Sequence, residues 1–270
     1  MSGPAAHRRV RRYRDGAWSD ESRAIPEEAP VTFAPNGAPF AAVMASPADL
    51  KDLARGFAVT EGLVERAEDI FAIDIVPMDE GYEARLDIPA ASAAALADRR
   101  RAFAARTSCS LCGLEDLDML LGAPPRPAPS GAPSFRPDML LAAMAALPGA
   151  QRLNAASHGL HAAGWIDGAG DLAFVREDVG RHNALDKLVG ALLAQDRDPA
   201  DGAICLTSRC SIEMVLKAAR VGAGLIAAAS SPTELAVRAA TAAGIALVAG
   251  LREDAFDVYA CPEKLELTAA

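Results

Sequence analysis

Residues 203–250, AICLTSRCSIEMVLKAARVGAGLIAAASSPTELAVRAATAAGIALVAG, decide the fold. Three short apolar runs, AICLT from Ala203, LIAAAS from Leu225 and IALVAG from Ile245, are separated by IEMVLKAARVG and PTELAVRAATAAG, two stretches of helical period. Strands alternating with helices of this length predict a βαβαβ unit, a parallel sheet with right-handed crossovers. Ligands of such sheets bind outside the carboxyl ends of the strands. The loops leaving those ends are Thr207-Ser208-Arg209-Cys210, Ser230-Ser231 and Gly250 to Asp254, which makes them one candidate surface.

Moving toward the N-terminus, HAAGWID and DLAFVRED flank the turn Gly168-Ala169-Gly170 and read as a hairpin. A helix follows over 183–195, with Leu185, Leu188, Val189 and Leu192 on one face. Further upstream, VTFAPNGAPFAAVMASP reads as a hairpin turned at Asn36-Gly37, and Asp49 opens an amphipathic helix that closes at Gly62. Strand-like runs lie at 70–76 and 82–88, and an alanine-rich helix covers about 90–105. The expected fold is α/β, a mixed-sheet core with a βαβαβ C-terminal half and a smaller N-terminal α+β part. The expected boundaries are a disordered basic tail over 1–24, an N-terminal α+β region over 25–121, a Pro-rich linker over 122–137 (GAPPRPAPSGAPSFRP) and a C-terminal α/β domain over 138–270.

Composition removes several function classes. The apolar runs fall short of the ~20 residues that a membrane helix needs. Thirty-six acidic residues against 27 basic ones leave no global charge suited to nucleic acid. Five arginines between Arg8 and Arg14 precede no apolar segment, so this stretch is not read as a secretory signal. Five cysteines without such a signal point to a reducing compartment, the cytoplasm.

Cys109 and Cys112, in the segment Arg106-Thr107-Ser108-Cys109-Ser110-Leu111-Cys112-Gly113, are the closely spaced cysteine pair. Half a zinc site, a dithiol–disulfide couple and a persulfide-carrying thiol all use that spacing, and the spacing leaves all three open. Cys210, His158, His161 and His182 could complete a zinc site, but no second CxxC or HxxxH accompanies the pair. A second constellation is Arg176-Glu177-Asp178-Val179-Gly180-Arg181-His182-Asn183, where a strand end meets a helix start. Free N–H groups and the helix dipole there favour an anion, Arg181 reinforces that, and Asp178 or Glu177 could accept hydrogen bonds from an amino-heterocycle. The alternative is a helix capped by Asn183 beside an exposed ion-pair cluster. The third constellation, Thr207 to Ser211 with Glu213, puts hydroxyls and Arg209 at a strand-to-helix turn suited to phosphate. Ser231-Pro232-Thr233-Glu234 reads as a capping box without chemistry, and Cys205 as core filler.

Three of these segments resemble the FdhD family: Glu177 to Lys187 (EDVGRHNALDK), Thr207 to Met214 (TSRCSIEM), and Ser230-Ser231-Pro232-Thr233 with Leu235-Ala236-Val237. The mid-chain CxxC and the stretch Glu27 to Leu63 match in order and spacing, so the resemblance covers nearly everything from residue 27 onward. It implies a protein that accepts sulfur from a cysteine desulfurase as a persulfide on the first cysteine, here Cys109, with Cys112 beside it. It implies that the sulfur passes to the molybdenum bis(molybdopterin guanine dinucleotide) cofactor required by formate dehydrogenase. The cofactor-contacting segment maps onto Gly250-Leu251-Arg252-Glu253-Asp254-Ala255, to which the strand-end reading adds Asp178, Arg181, His182, Asn183, Ser208 and Arg209. The resemblance further implies a cytidine-deaminase-like core without a metal, binding of a GDP-like fragment, and a homodimer. Ser110 stands where the family usually has glycine, and Ser157-His158-Gly159 replaces a commoner Thr-Gly-Gly. The other readings are a chaperone that binds and inserts the cofactor and a zinc-dependent deaminase-like hydrolase. For the latter, the His-x-Glu and Pro-Cys-x-x-Cys pairing is missing.

Overall fold

The computed structural model describes residues 4–96 and 133–266. The chain opens with two long strands, β1 (Ala5–Arg14) and β2 (Ala17–Pro26), and continues through β3 (Ala29–Pro35), β4 (Ala41–Ala45) and helix α1 (Leu50–Thr60). Strands β5 (Ala72–Pro77) and β6 (Tyr82–Asp87) complete the N-terminal part. Beyond the second described boundary come α2 (Pro137–Ala150), α3 (Asn154–Ser157), β7 (His161–Ile166), β8 (Leu172–Asp178) and α4 (Arg181–Leu193). The C-terminal unit is β9 (Ala203–Leu206), α5 (Ile212–Arg220), β10 (Leu225–Ala228), α6 (Glu234–Ala243), β11 (Ala246–Ala249) and β12 (Asp257–Ala260).

The expected βαβαβ unit is present, with β9, β10 and β11 parallel and adjacent. They sit within a six-stranded mixed sheet of order β12-β11-β10-β9-β7-β8. Every residue of β9, β10 and β11 is buried, because helices cover both faces of the sheet. Ile204, Leu206, Ile226 and Leu247 face α4, α5 and α6, while Ala203, Cys205, Ala227 and Val248 face Leu140, Ala143 and Leu147 of α2. The edge strand β12 was not foreseen, since its residues Asp257 to Tyr259 are exposed and carry no apolar run.

The N-terminal part is a four-stranded sheet of order β4-β3-β6-β5, with the expected hairpin between β3 and β4 turning at Asn36 and Gly37, both at positive φ. Helix α1 covers this sheet, and Phe57 stacks on Phe33 with ring centroids 3.9 Å apart. The opposite side of α1 lies directly on α4. A Cβ placed on Gly56 would overlap the carbonyl oxygen of Asp186, and one on Gly190 would overlap that of Asp52, so the two backbones meet at the two glycines.

Two expected boundaries need correction. The described residues of the expected disordered tail over 1–24 are ordered. From Ala5 onward they form the antiparallel ribbon β1–β2, turned tightly at Asp15 (φ 51°) and Gly16 (φ 82°). An Asp-Gly turn flanked by alternating side chains favours a hairpin despite the charge density. The Pro-rich linker also ends early: Phe135 is buried and pairs with Leu265, and Pro137 opens α2.

If the glycine seam holds the two sheets together, Gly56→Ala lowers stability by roughly 1–3 kcal/mol or more, the scale of an overpacked core. Gly149→Ala, whose added methyl meets nothing within 4 Å in α2, is neutral or stabilising by up to about 1 kcal/mol. Urea denaturation of both variants checks the contrast.

Candidate functional site

Strand directions define the candidate edge. β7 runs antiparallel to β9, and β8 antiparallel to β7, so β8 points the same way as β9, β10 and β11. The carboxyl ends of all four strands therefore open on one edge. That edge carries the turn Val179-Gly180 into α4, the loop Thr207 to Ser211, Ala229 to Ser231, and Gly250 to Ala255. His161, which opens β7 opposite Asp178, joins them.

Among the residues of this edge, Asp178 and Asn183 are spent inside the protein. Asp178 is fully buried and forms an ion pair with Lys187 at 2.6 Å, itself fully buried. It also accepts hydrogen bonds from the Ser46 and Gly180 backbone amides and from Asn183 Nδ2. Asn183 does not cap the helix. The cap position is Gly180, and Asn183 Nδ2 donates to the Met44 carbonyl. Lys187 donates to the carbonyls of Ser46 and Glu177, and the Ser46 hydroxyl accepts from the Val179 amide. Glu177, also buried, accepts from the amides of Leu153 and Asn154. Asp178, Asn183 and Lys187 thus lock the turn against the strand-to-helix corner of the N-terminal part, and Glu177 ties it to the start of α3.

What the edge leaves available is cationic. Arg181 and His182 are half-exposed in the first turn of the 13-residue helix α4, and Arg181 Nε is enclosed without a hydrogen-bond partner among the described residues. Arg209 is exposed on its loop, while Ser208 is buried and its hydroxyl donates to the Arg209 carbonyl. His182 Nε2 lies 3.4 Å from Glu213, whose carboxylate accepts from the Ser211 hydroxyl. That hydroxyl, with a smaller contribution from His182, holds the Glu213 carboxyl below its ordinary range. Burial pushes the His161 pKa down, and the nearby charges of Arg181 and His182 push it further. His161 was not singled out as an anion-site residue because no local motif contains it; the hairpin register opposite Asp178 brings it there.

The segment 250–255 divides in the same way. Leu251 is a core side chain, whereas Arg252, Glu253, Asp254 and Ala255 are exposed in a turn closed by the Arg252 amide on the Ala255 carbonyl. The Arg252 guanidinium reaches across to the Ala229 carbonyl at the end of β10. Ser231 is not the cap of α6; Thr233 is, accepting from the Ala236 amide.

Three cysteines lie among the described residues. Burial pushes the thiols of Cys205 and Cys210 up to about 12, and burial followed by Glu263 raises that of Cys261. Cys109 and Cys112, with Arg106 and the arginines at 99–101, lie outside the described residues. Among the described residues no group of three or more His, Cys, Asp or Glu is arranged to hold a metal, and no helix is long and apolar enough to cross a membrane.

The model of the FdhD/NarQ family matches residues 26–266. The chain belongs to the FdhD/NarQ family. A sulfur carrier protein FdhD from Cupriavidus necator is 44% identical over 97% of this chain and 90% of its own length. One from Bordetella petrii is 45% identical over 97% and 94%. Among solved structures, one described as a formate dehydrogenase accessory protein from Desulfotalea psychrophila superposes with a TM-score of 0.77 at 25% identity, covering 97% of this chain and 99% of that one. In this FdhD/NarQ chain, the segment Glu177 to Lys187 does two things at once. Its buried members fix the junction with α1, and its half-exposed members, Arg181 and His182, face the open edge.

Lys187→Met tests the first role. It leaves the Asp178 carboxylate buried without its cation and lowers stability by about 3–5 kcal/mol. An unchanged denaturation midpoint would show that the pair does not hold the turn.

Proposed function

We propose that this protein carries sulfur as a persulfide on Cys109 and hands it to a molybdenum bis(molybdopterin guanine dinucleotide) cofactor bound at the open sheet edge, for use by formate dehydrogenase. The observation that carries the reading is the state of the other thiols. Cys205, Cys210 and Cys261 are all held toward the protonated form by their surroundings, and the thiolate is the nucleophile in sulfur transfer. In a family whose relatives are named sulfur carriers, that supports the reading that the Cys109–Cys112 pair carries the chemistry. The Cys109 thiolate attacks the outer sulfur of a cysteine desulfurase persulfide. The donor S–S bond breaks, a new S–S bond forms on Cys109, and the donor cysteine leaves as its thiolate. Cys112 is the neighbouring thiol to which that sulfur can be relayed.

The acceptor is a substrate of the protein. Its guanine diphosphate arms match what the edge offers: the first turn of α4, Arg181, His182 and Arg209, with the turn 252–255 alongside. Asp178, Asn183, Ser208 and Leu251 act beneath that surface, holding it in place. The protein works in the cytoplasm as a homodimer.

Intact-mass analysis after incubation with a cysteine desulfurase and cysteine tests the sulfur step. The wild-type chain gains about 32 Da per sulfur atom, and Cys109→Ala abolishes the gain. Label that survives in Cys109→Ala but vanishes in Cys112→Ala would reverse the two thiols; no label in any form would leave a cofactor chaperone. GDP binding by calorimetry tests the edge separately. Arg181→Ala and Arg209→Ala each weaken GDP by roughly 1–3 kcal/mol, while Cys109→Ala leaves it unchanged. Burial and the charges of Arg181 and His182 lower the His161 pKa in the free protein, and an anion beside it would raise it, so GDP affinity increases as pH falls through the histidine range. Equal binding without both arginines would place the nucleotide elsewhere.

A further inference from the structure

The ribbon β1–β2 falls outside the segment that the family model matches, apart from its last residue, Pro26. Among the described residues, its two strands pair along their whole length only with each other. β2 also meets α3, and at the base of the ribbon Pro26 lies against Gly159. A lone two-stranded hairpin is marginally stable in water, so such an arm is expected to gain from a partner.

Its side chains say what kind of partner. Residues 5–26 carry six arginines against Asp15, Asp20 and Glu21, in a chain whose formal net charge is −9. Arg11 pairs with Asp20, and Arg12 and Arg23 share Glu21. Arg8 stands directly opposite Arg23, a like-charge cross-strand pair that the Glu21 carboxylate beside Arg23 offsets only in part. At the tip, Tyr13 and Trp18 form a tilted pair with ring centroids 5.2 Å apart and are 61% and 67% exposed.

A second feature of the same chain is its complement. β5 is an edge strand of the four-stranded sheet, bracketed by Phe71 and Met78, which are 65% and 53% exposed. The stretch from Glu65 to Asp87 that contains it holds eight carboxylates against Arg66 and Arg85. An unpaired, apolar-bracketed edge is a surface that proteins normally cover.

We propose that the basic, aromatic-tipped ribbon of one copy docks on the acidic β5 edge of a second copy, and that reciprocal exchange of the two arms closes the dimer. This rests on the homodimer reading above and adds the surfaces that make it. Each copy presents both halves of the contact, which is the self-complementarity that a closed twofold dimer requires.

Sedimentation velocity on full-length chains tests it. The wild type sediments at twice the 28.0 kDa chain mass, and the dimer weakens with salt. Arg8→Glu with Arg23→Glu weakens dimerisation about tenfold or more, and so does Asp74→Lys with Glu80→Lys. Mixed together, these two double variants form a heterodimer that neither forms alone, because the reversed arm of one meets the reversed edge of the other. That rescue excludes misfolding as the cause. Persulfide loading, measured on the same samples, is independent of the outcome. Variants that dimerise as tightly as the wild type, or a mixture that stays monomeric, would overturn the arm exchange while leaving a dimer through another surface. A monomeric wild type would overturn the dimer with it. Salt-sensitive binding of a DNA duplex or of phosphatidylglycerol vesicles, lost on Arg8→Glu with Arg23→Glu while the dimer persists, would assign the ribbon to that partner instead.

Discussion

The contact on which the rest of this structure depends is the crossing of α1 and α4 at Gly56 and Gly190. Two helices that meet backbone to backbone leave no room for side chains at the crossing, so the contact must be fixed from its flanks. Two buried ionic networks do this. On one side Asp178 and Lys187 hold the chain at Ser46; on the other Asp186 accepts from Thr60 and Lys217, and Lys217 reaches Glu61 at 2.6 Å. Burial pushes the Asp186 carboxyl up, with Lys217 opposing it. Lys217 is lowered by burial but raised further by Asp186 and Glu61, the arrangement expected of a charge kept because its partner is present. Arg176 adds a third tie, to Asp52 at 2.9 Å.

The networks explain why a surface site and a buried seam share one stretch of sequence. A helix of 3.6 residues per turn sends successive side chains to different faces, so Arg181 and His182 can face outward while Asn183, Asp186 and Lys187 face α1 and its surroundings. Fixing the inward side chains fixes the first turn of the helix, and with it the direction of the amides and cations at the open edge. The half-exposed Arg181 and His182 are held at the edge by the burial of their neighbours in sequence.

The sequence made the parallel sheet legible because its signal is local: β9, β10 and β11 are continuous apolar runs bounded by helical periods, and burial on both faces permits nothing else. The strand-end edge followed from that topology, and Arg181, His182, Arg209 and the turn at 252–255 lie on it. Asp178, Asn183 and Leu251 were read as ligand contacts, yet the structure encloses them. A buried carboxylate and an exposed one look alike in sequence; what separates them here is partners 132 and 139 residues away, at Ser46 and Met44. The ribbon was hidden for the opposite reason. Its turn signal, Asp15-Gly16, was present, but a run of arginines suggested a disordered tail, and the cross-strand pairing of Arg11 with Asp20 and Arg12 with Glu21 offsets part of that charge.

Thiol placement adds a constraint of its own. Cys210 belongs to one of the loops that form the open edge, bridging to Pro232, and yet it is wholly buried with its thiol pushed up to about 12. Cys205, one strand-length behind it, packs against the α2 face with the same shift. A thiolate at either position would compete for a persulfide sulfur or reduce it, releasing sulfide before it reached an acceptor. Desolvation removes that competition without removing the cysteines, because the small, polarisable side chain is tolerated as packing wherever it cannot ionise. For the sulfur transfer proposed above the consequence is directional: the open sheet edge contributes no described thiol of its own in a setting that favours the thiolate, so sulfur delivered to an acceptor there would have to come from a cysteine carried on another segment.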